Sequence, residues 1–468
     1  MSRGNAIKLS ATVTSVLIFL YLAATQPIQG QILGVVVLAL VLWSLYPKRH
    51  LESSVLIIAL TAYFEASLSV SGFLSELFKA YGGNSIWIIL AGFVLANAME
   101  VSGLGRRLAL RLSTSMGCNP GRLIFAIAIA NLALAPLSPS TTAKAFLILP
   151  ICIGLVESFG VEKGQSTFGI GLLLMAMTAN NICSTAFLTA TVPNPISAEF
   201  LKGVGLHLDW MGWMVMALPM TVLLLAVSYL LISRMFKPEI KASSEVSEKV
   251  RAYSSSLGPL TRREKIVTVV FISCLGLWMA ERLIPWNVGI ISLVVSLVLL
   301  LPQSGVMDIR GFSKAVPYGS IMLFVASIFL ARAVGDHRAL DPVAFGIFRI
   351  LHVGDLTPTI FLIVVVVIAM FLHVAFTSTT VYATVMVPIV ISLSEMYGAA
   401  PALVTLPIAF LAPIALILPV NTIPNIVFYE EGWFTEQQML KYGLIMSLLS
   451  AVIVLVLGIP YWRFLGII

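Results

Sequence analysis

A chain of 468 residues that is 59% hydrophobic and only 10% charged, with a mean hydropathy of +1.01, is not a soluble globular protein, because it lacks the polar surface to cover such a core. Its net charge of +7 implies no nucleic acid partner, since membrane proteins gather Lys and Arg in cytoplasmic loops. Cys118, Cys152, Cys183 and Cys274 have neither metal-ligand spacing nor a paired pattern and read as small apolar packing residues.

Apolar runs of about 17–25 residues, the length a helix needs to cross a bilayer, recur along the chain. In lipid such runs must be helical to pair their own amides, so the fold class is an all-α polytopic membrane protein. In chain order, spans are predicted at 10–28, 31–46, 53–71, 85–104, 165–204, 212–234, 264–283, 286–302, 319–335, 402–430 and 438–463, about eleven in all. The first is read as an uncleaved helix, because AATQPIQG at 23–30 is a weak cleavage site and a long membrane domain follows. Residues 235–264, mixed in charge and rich in Ser, form a solvated linker between a first half, 1–234, and a second half, 265–468.

A cytoplasmic linker puts the amino terminus inside and the carboxyl terminus outside. It also places 20 basic residues inside and 7 outside, with Lys144 the last of the 28. The apolar stretches 120–157 and 357–395 must then each enter and leave on one face, the first from the cytoplasm and the second from outside.

These two hairpins resemble each other. PLSPSTTAKAFLILPI (136–151) and VAFTSTTVYATVMVPI (374–389) align Ser140-Thr141-Thr142 with Ser378-Thr379-Thr380 and Pro150 with Pro388. Thr191-Val192-Pro193-Asn194 and Thr422-Ile423-Pro424-Asn425 follow in the same order. Inverted repeats with broken helices mark transporters whose substrate sits near the bilayer midplane. Amides at the start of a half-helix suit a carboxylate, and freed carbonyls beyond a break suit Na⁺ or a lysine ammonium. The residues expected at the substrate are therefore Ser140, Thr141, Thr142, Ser378, Thr379, Thr380, Thr422, Pro424, Asn194 and Asn425. The bland alternative is that these hydroxyls bond only to their own helices.

SPSTTAKAFLILPI and FTSTTVYATVMVPI resemble the paired Ser-Asn-Thr hairpin motifs of the divalent anion:sodium symporter family, and TVPNPI and LPVNTIPNIVF resemble its two unwound segments. MEVSGLGRRLAL (99–110) is similar to its Gly-Leu-x-x-Arg stretch. The resemblance implies homodimers of eleven spanning helices with two re-entrant hairpins. It further implies that a transport domain slides past a dimer scaffold, elevator fashion, carrying succinate, malate, 2-oxoglutarate, citrate or, in some branches, sulfate. Thr141 and Thr379 stand where sodium-coupled members have Asn, which counts against sodium; a sodium site would lie near Thr141, Asn181, Thr379 and Asn421. Lys144 stands where the di- and tricarboxylate exchanger branch is basic, and STAFLTATVPNPI (184–196) also resembles that branch, which often has His at the position of Tyr382.

A lysine amid an apolar hairpin is costly and functional by default, so Lys144 is expected to substitute for or tune an ion site; the alternative is that it snorkels to the interface. Glu65 is expected to be a hydrogen-bonded scaffold residue rather than a proton carrier, and Glu100 to be interfacial. His373 reads equally as a proton-sensitive gate or a packing residue. HExxH, GxSxG, paired intramembrane aspartates and Cys/His clusters are missing from the sequence, so an enzyme is not expected. The expected protein is a secondary transporter of small di- or tricarboxylates in a prokaryotic plasma membrane. It would work by exchange or sodium-independent coupling and need no cofactor. Sodium-coupled symport, or a same-fold permease for sulfate or another oxyanion, are the alternatives.

Overall fold

A computed structural model describes residues 3–46, 49–66, 84–114, 116–241, 258–284, 286–315 and 318–468, together with positions 71, 72, 74, 75, 78 and 248. The middle of the predicted linker and the basic residues Lys48, Lys79, Lys249 and Arg251 lie outside the described residues. Among those described the chain is helical throughout, with no strand.

In chain order the helices are α1 (Arg3–Thr25), α2 (Ile28–Leu45), α3 (His50–Glu65), α4 (Asn84–Ser102), α5 (Leu104–Thr114), α6 (Pro120–Leu134), α7 (Thr141–Ser158), α8 (Thr167–Cys183), α9 (Pro193–Gly203) and α10 (Trp210–Met235). The second half supplies α11 (Arg262–Met279), α12 (Val288–Leu297), α13 (Ile309–Ala315), α14 (Tyr318–His337), α15 (Asp341–Ile350), α16 (Pro358–Leu372), α17 (Thr379–Tyr397), α18 (Pro401–Leu411), α19 (Ile423–Glu430), α20 (Glu436–Ile453) and α21 (Ile459–Phe464).

Nine helices among the described residues are long and apolar enough to cross a membrane, and four of these are hairpin limbs. The predicted spans 165–204 and 402–430 are not continuous helices. Each is a pair, α8 with α9 and α18 with α19, around a break that contains one 3₁₀ turn. The predicted hairpins are α6–α7 and α16–α17. Each half also carries an amphipathic helix between a long helix and its hairpin: α5 after α4, bent by 74°, and α15 after α14.

The helices form two packing groups. In one, α1, α2, α3 and α14 pack together, and α4 packs with α11 and α12. The other holds the hairpins, the broken helices, α10 and α20, and within it the halves interlock. The helix that follows the first break, α9, packs on α17 of the second hairpin, while α19 packs on α7 of the first. Each hairpin is therefore in contact with the break of the opposite half.

Pro219 lies inside α10, so the Val215 carbonyl loses its helical partner and the ring opens the turn around Met216. The carboxyl-terminal helix repairs the damage. Tyr461 Oη donates to Val215 O at 2.8 Å and Trp462 Nε1 to Met216 O at 3.0 Å. Trp462→Phe removes the buried hydrogen bond to the Met216 carbonyl and is expected to cost about 0.5–1.5 kcal/mol, read as a lower melting temperature in detergent.

Both described ends of the linker are fastened. Glu239 accepts hydrogen bonds from Ser166 Oγ (2.5 Å), Thr167 Oγ1 (2.5 Å) and the Phe168 amide (2.8 Å) at the start of α8. At the other end the buried Arg107 of α5 meets Glu264 at 2.5 Å and donates to Gly258 O at 2.7 Å. Partial desolvation of Glu239 is outweighed by the hydrogen bonds from Ser166, Thr167, its own backbone and Phe168, which hold its carboxyl below the ordinary 4.5. A depressed folded value means this anchor stabilises the fold above pH 4.5 and is lost as the pH falls through the lowered value. Amide exchange at 166–170 is expected to accelerate over that acid range in the wild type, and Glu239→Gln to abolish the step.

Candidate functional site at the two helix breaks

Each hairpin tip is built the same way. A descending helix ends in a 3₁₀ turn, 135–137 or 373–375, two irregular residues follow, and an extended serine caps the returning helix. Ser140 Oγ accepts the Ala143 amide at 3.1 Å, and Ser378 Oγ accepts the Val381 amide at 3.5 Å. Thr141, Thr142, Thr379 and Thr380 occupy the first turns, half-buried, where helix amides lack intrahelical partners and the dipole end is positive. Thr377, one residue before the second cap, donates to Ser44 O of α2 at 3.0 Å, and Pro139 packs over Gly92 of α4. Both tips therefore rest against the other packing group.

The breaks match atom for atom. Asn194 Nδ2 donates to Ser184 O and Phe187 O, both at 2.7 Å, ten and seven residues back. Asn425 Nδ2 does the same to Ala415 O at 2.7 Å and Leu418 O at 3.3 Å. In each break one of the two carbonyls also accepts a backbone amide of the 3₁₀ turn, Phe187 O from Ala190 and Leu418 O from Asn421, and the asparagine adds a second donor to it while tying in the carbonyl ten residues back. Both asparagines are 0% exposed, so their amide hydrogens are committed to holding the breaks open. Thr422 Oγ1 caps α19 through the Asn425 amide at 3.2 Å, with Pro424 in its first turn. Asn181 Nδ2 joins the halves by donating to Asn425 Oδ1 at 2.9 Å.

Tip and break are tied together in each half, with the roles reversed. In the first, Lys144 reaches from α7 to Ala190 O at 3.2 Å, inside the 3₁₀ turn of the break. In the second, Asn421 reaches from the break to His373 O and Phe376 O of the tip, both at 2.9 Å. Lys144 is 1% exposed and makes no ion pair among the described residues. Tyr382, which aligns with Lys144, instead spans its own hairpin by donating to Ala369 O at 2.8 Å. His373 stacks on that tyrosine at 3.6 Å, and its buried Nε2 has no hydrogen-bond partner among the described residues.

Of the residues suggested for sodium, Asn421 gives both amide hydrogens to the second tip while its oxygen accepts the Leu418 amide at 2.9 Å. Asn181 donates to Met177 O and to Asn425. Glu65 pairs with His337 at 2.8 Å between α3 and α14. Sequence reasoning missed Asn180, whose Nδ2 holds Thr141 O at 2.9 Å. Two adjacent asparagines inside an otherwise apolar helix were the available signal.

Two hairpins and two broken helices, interlocked and related by an internal repeat, define a polytopic membrane transporter. The family model for the sodium:sulfate symporter transmembrane region matches residues 4–468, and the chain belongs to that family, the divalent anion:sodium symporters. It is 27% identical over 389 residues to a citrate/succinate antiporter of Escherichia coli, covering 81% of this chain and 79% of that protein. It is also 27% identical over 448 residues to a sodium-dependent dicarboxylate transporter of Staphylococcus saprophyticus, covering 90% and 85% respectively. Among solved structures, the YdaH transporter of Alcanivorax borkumensis superposes with a TM-score of 0.58 at 16% identity, over 90% of this chain and 99% of that one, a likeness of fold alone.

Proposed function

We propose that the protein exchanges small di- or tricarboxylates, of the succinate, malate, 2-oxoglutarate and citrate class, across a bacterial plasma membrane without sodium. The observation that carries this reading is Lys144, a buried ammonium held at the first break by one backbone carbonyl and, among the described residues, facing no carboxylate within ion-pair reach. A fixed positive charge there does what a bound cation would do: it draws a carboxylate to the amide-rich starts of α7 and α17 and needs no coupling ion. Ser140, Thr141, Thr142, Ser378, Thr379 and Thr380 line those starts and supply hydroxyl donors to the anion. Thr422 and Pro424 shape the second break, and Asn194 and Asn425 act on the substrate indirectly by keeping both breaks open. The likeness to the E. coli antiporter points the same way.

In this reading the hairpins and broken helices move as one transport domain against the remaining helices, which form the dimer scaffold of a homodimer. The amino terminus lies in the cytoplasm and the carboxyl terminus outside. The second reading, sodium-coupled symport, is favoured by the likeness to the staphylococcal transporter. Counterflow in proteoliposomes separates the two. Internal unlabelled succinate is expected to accelerate labelled succinate uptake equally with and without sodium. Uptake that requires sodium and ignores internal succinate overturns exchange, and transport of sulfate but not succinate overturns the substrate class.

A further inference from the structure

The α4–α5 elbow wraps the first hairpin. Pro139 lies over Gly92, and Gly105, just past the bend, abuts Leu147 of α7. Between them a void of about 10 Å³ is lined by Met99, Glu100, Leu137, Ser138, Lys144 and Leu147, among others. That is room for about one water. Glu100 is the only charged residue of α4, and it belongs to the packing group opposite the one that carries Lys144. Its other side is open to solvent.

We propose that Glu100 is the residue that makes exchange obligatory. This rests on the exchange reading above. With no substrate bound, the Lys144 charge is uncompensated within the transport domain, and the scaffold carboxylate that lines the same void attracts it. The empty domain is thereby held against α4. A substrate carboxylate compensates Lys144 from within the transport domain, weakens the pull of Glu100 and lets the loaded domain slide. Glu100 touches no substrate; it acts through Lys144.

The test uses the full-length protein in liposomes and compares succinate uptake into vesicles loaded with succinate and vesicles without it. Wild type is expected to take up label only into loaded vesicles. Glu100→Gln is expected to keep loaded-vesicle uptake within about threefold while uptake into empty vesicles rises at least about tenfold, the factor that corresponds to about 1.4 kcal/mol of lost attraction. Glu100→Asp, which keeps the charge, is expected to stay strict. Glu100→Gln that remains strict overturns the proposal, and so does Glu100→Gln that loses exchange, because releasing the empty domain cannot abolish movement of the loaded one. Wild type that fills empty and loaded vesicles alike overturns the exchange reading itself, so the two failures are told apart.

Discussion

Lys144→Thr is expected to reduce succinate exchange about ten- to 150-fold, the range set by losing one charge-assisted hydrogen bond of about 1.5–3 kcal/mol. Two effects combine. The substrate loses the ammonium that compensates its carboxylate, and the Ala190 carbonyl, buried in the break, loses its donor at 3.2 Å. Lys144→Met separates them from loss of bulk, since it keeps an unbranched stem of similar length but neither donates nor carries charge. If the charge is what matters, Met and Thr are equally inactive in sodium-free medium. Thr also restores an oxygen beside freed carbonyls, so any uptake it retains is expected to have become sodium-dependent. Unchanged uptake with unchanged ion dependence in Lys144→Thr would remove Lys144 from the mechanism.

The hairpins and breaks were legible because each is written in a local motif whose physics is local. Ser caps a helix start, Pro and Asn interrupt one, and both signals occur twice in order. Even the spacing was informative: Ser378 lies 238 positions after Ser140, while Asn425 lies 231 after Asn194, so the second half is shorter between hairpin and break. The pairings that assemble the site were not legible, because they depend on which element lands beside which. Lys144 and Asn421 look unrelated in sequence, yet each ties a tip to a break, one from the hairpin and one from the break. Nothing in the string joins Trp462 to the turn opened by Pro219, some 246 residues from Met216, or Glu100 to Lys144. Asn194 and Asn425 were expected at the substrate, and their amide hydrogens go to the carbonyls seven and ten residues back, a pairing that the motif alone does not spell out.

Gly443→Ala is the other substitution with a large expected effect, and no motif announces it. Gly443 sits in α20 where that helix presses on the second break. A Cβ there would stand 2.2 Å from the Leu416 carbonyl oxygen, 2.8 Å from its carbon and 3.0 Å from the Ile417 Cα. All three are backbone atoms, so no side chain can swing aside to relieve the contact. Either α20 withdraws or residues 416–418 move, and Leu418 O is one of the two carbonyls that Asn425 holds. Overpacking of this kind costs about 1–3 kcal/mol. The functional loss is expected to be larger, about a hundredfold in exchange rate, because a displacement of about 1 Å is enough to misplace groups that must converge on a substrate. Gly276→Ala in α11 is the matched control, as its Cβ meets nothing within 4 Å and alanine favours the helix. That variant is expected to melt no lower than wild type and to exchange at the wild-type rate. Wild-type exchange by Gly443→Ala would mean that the second break tolerates displacement and that its geometry does not set the rate.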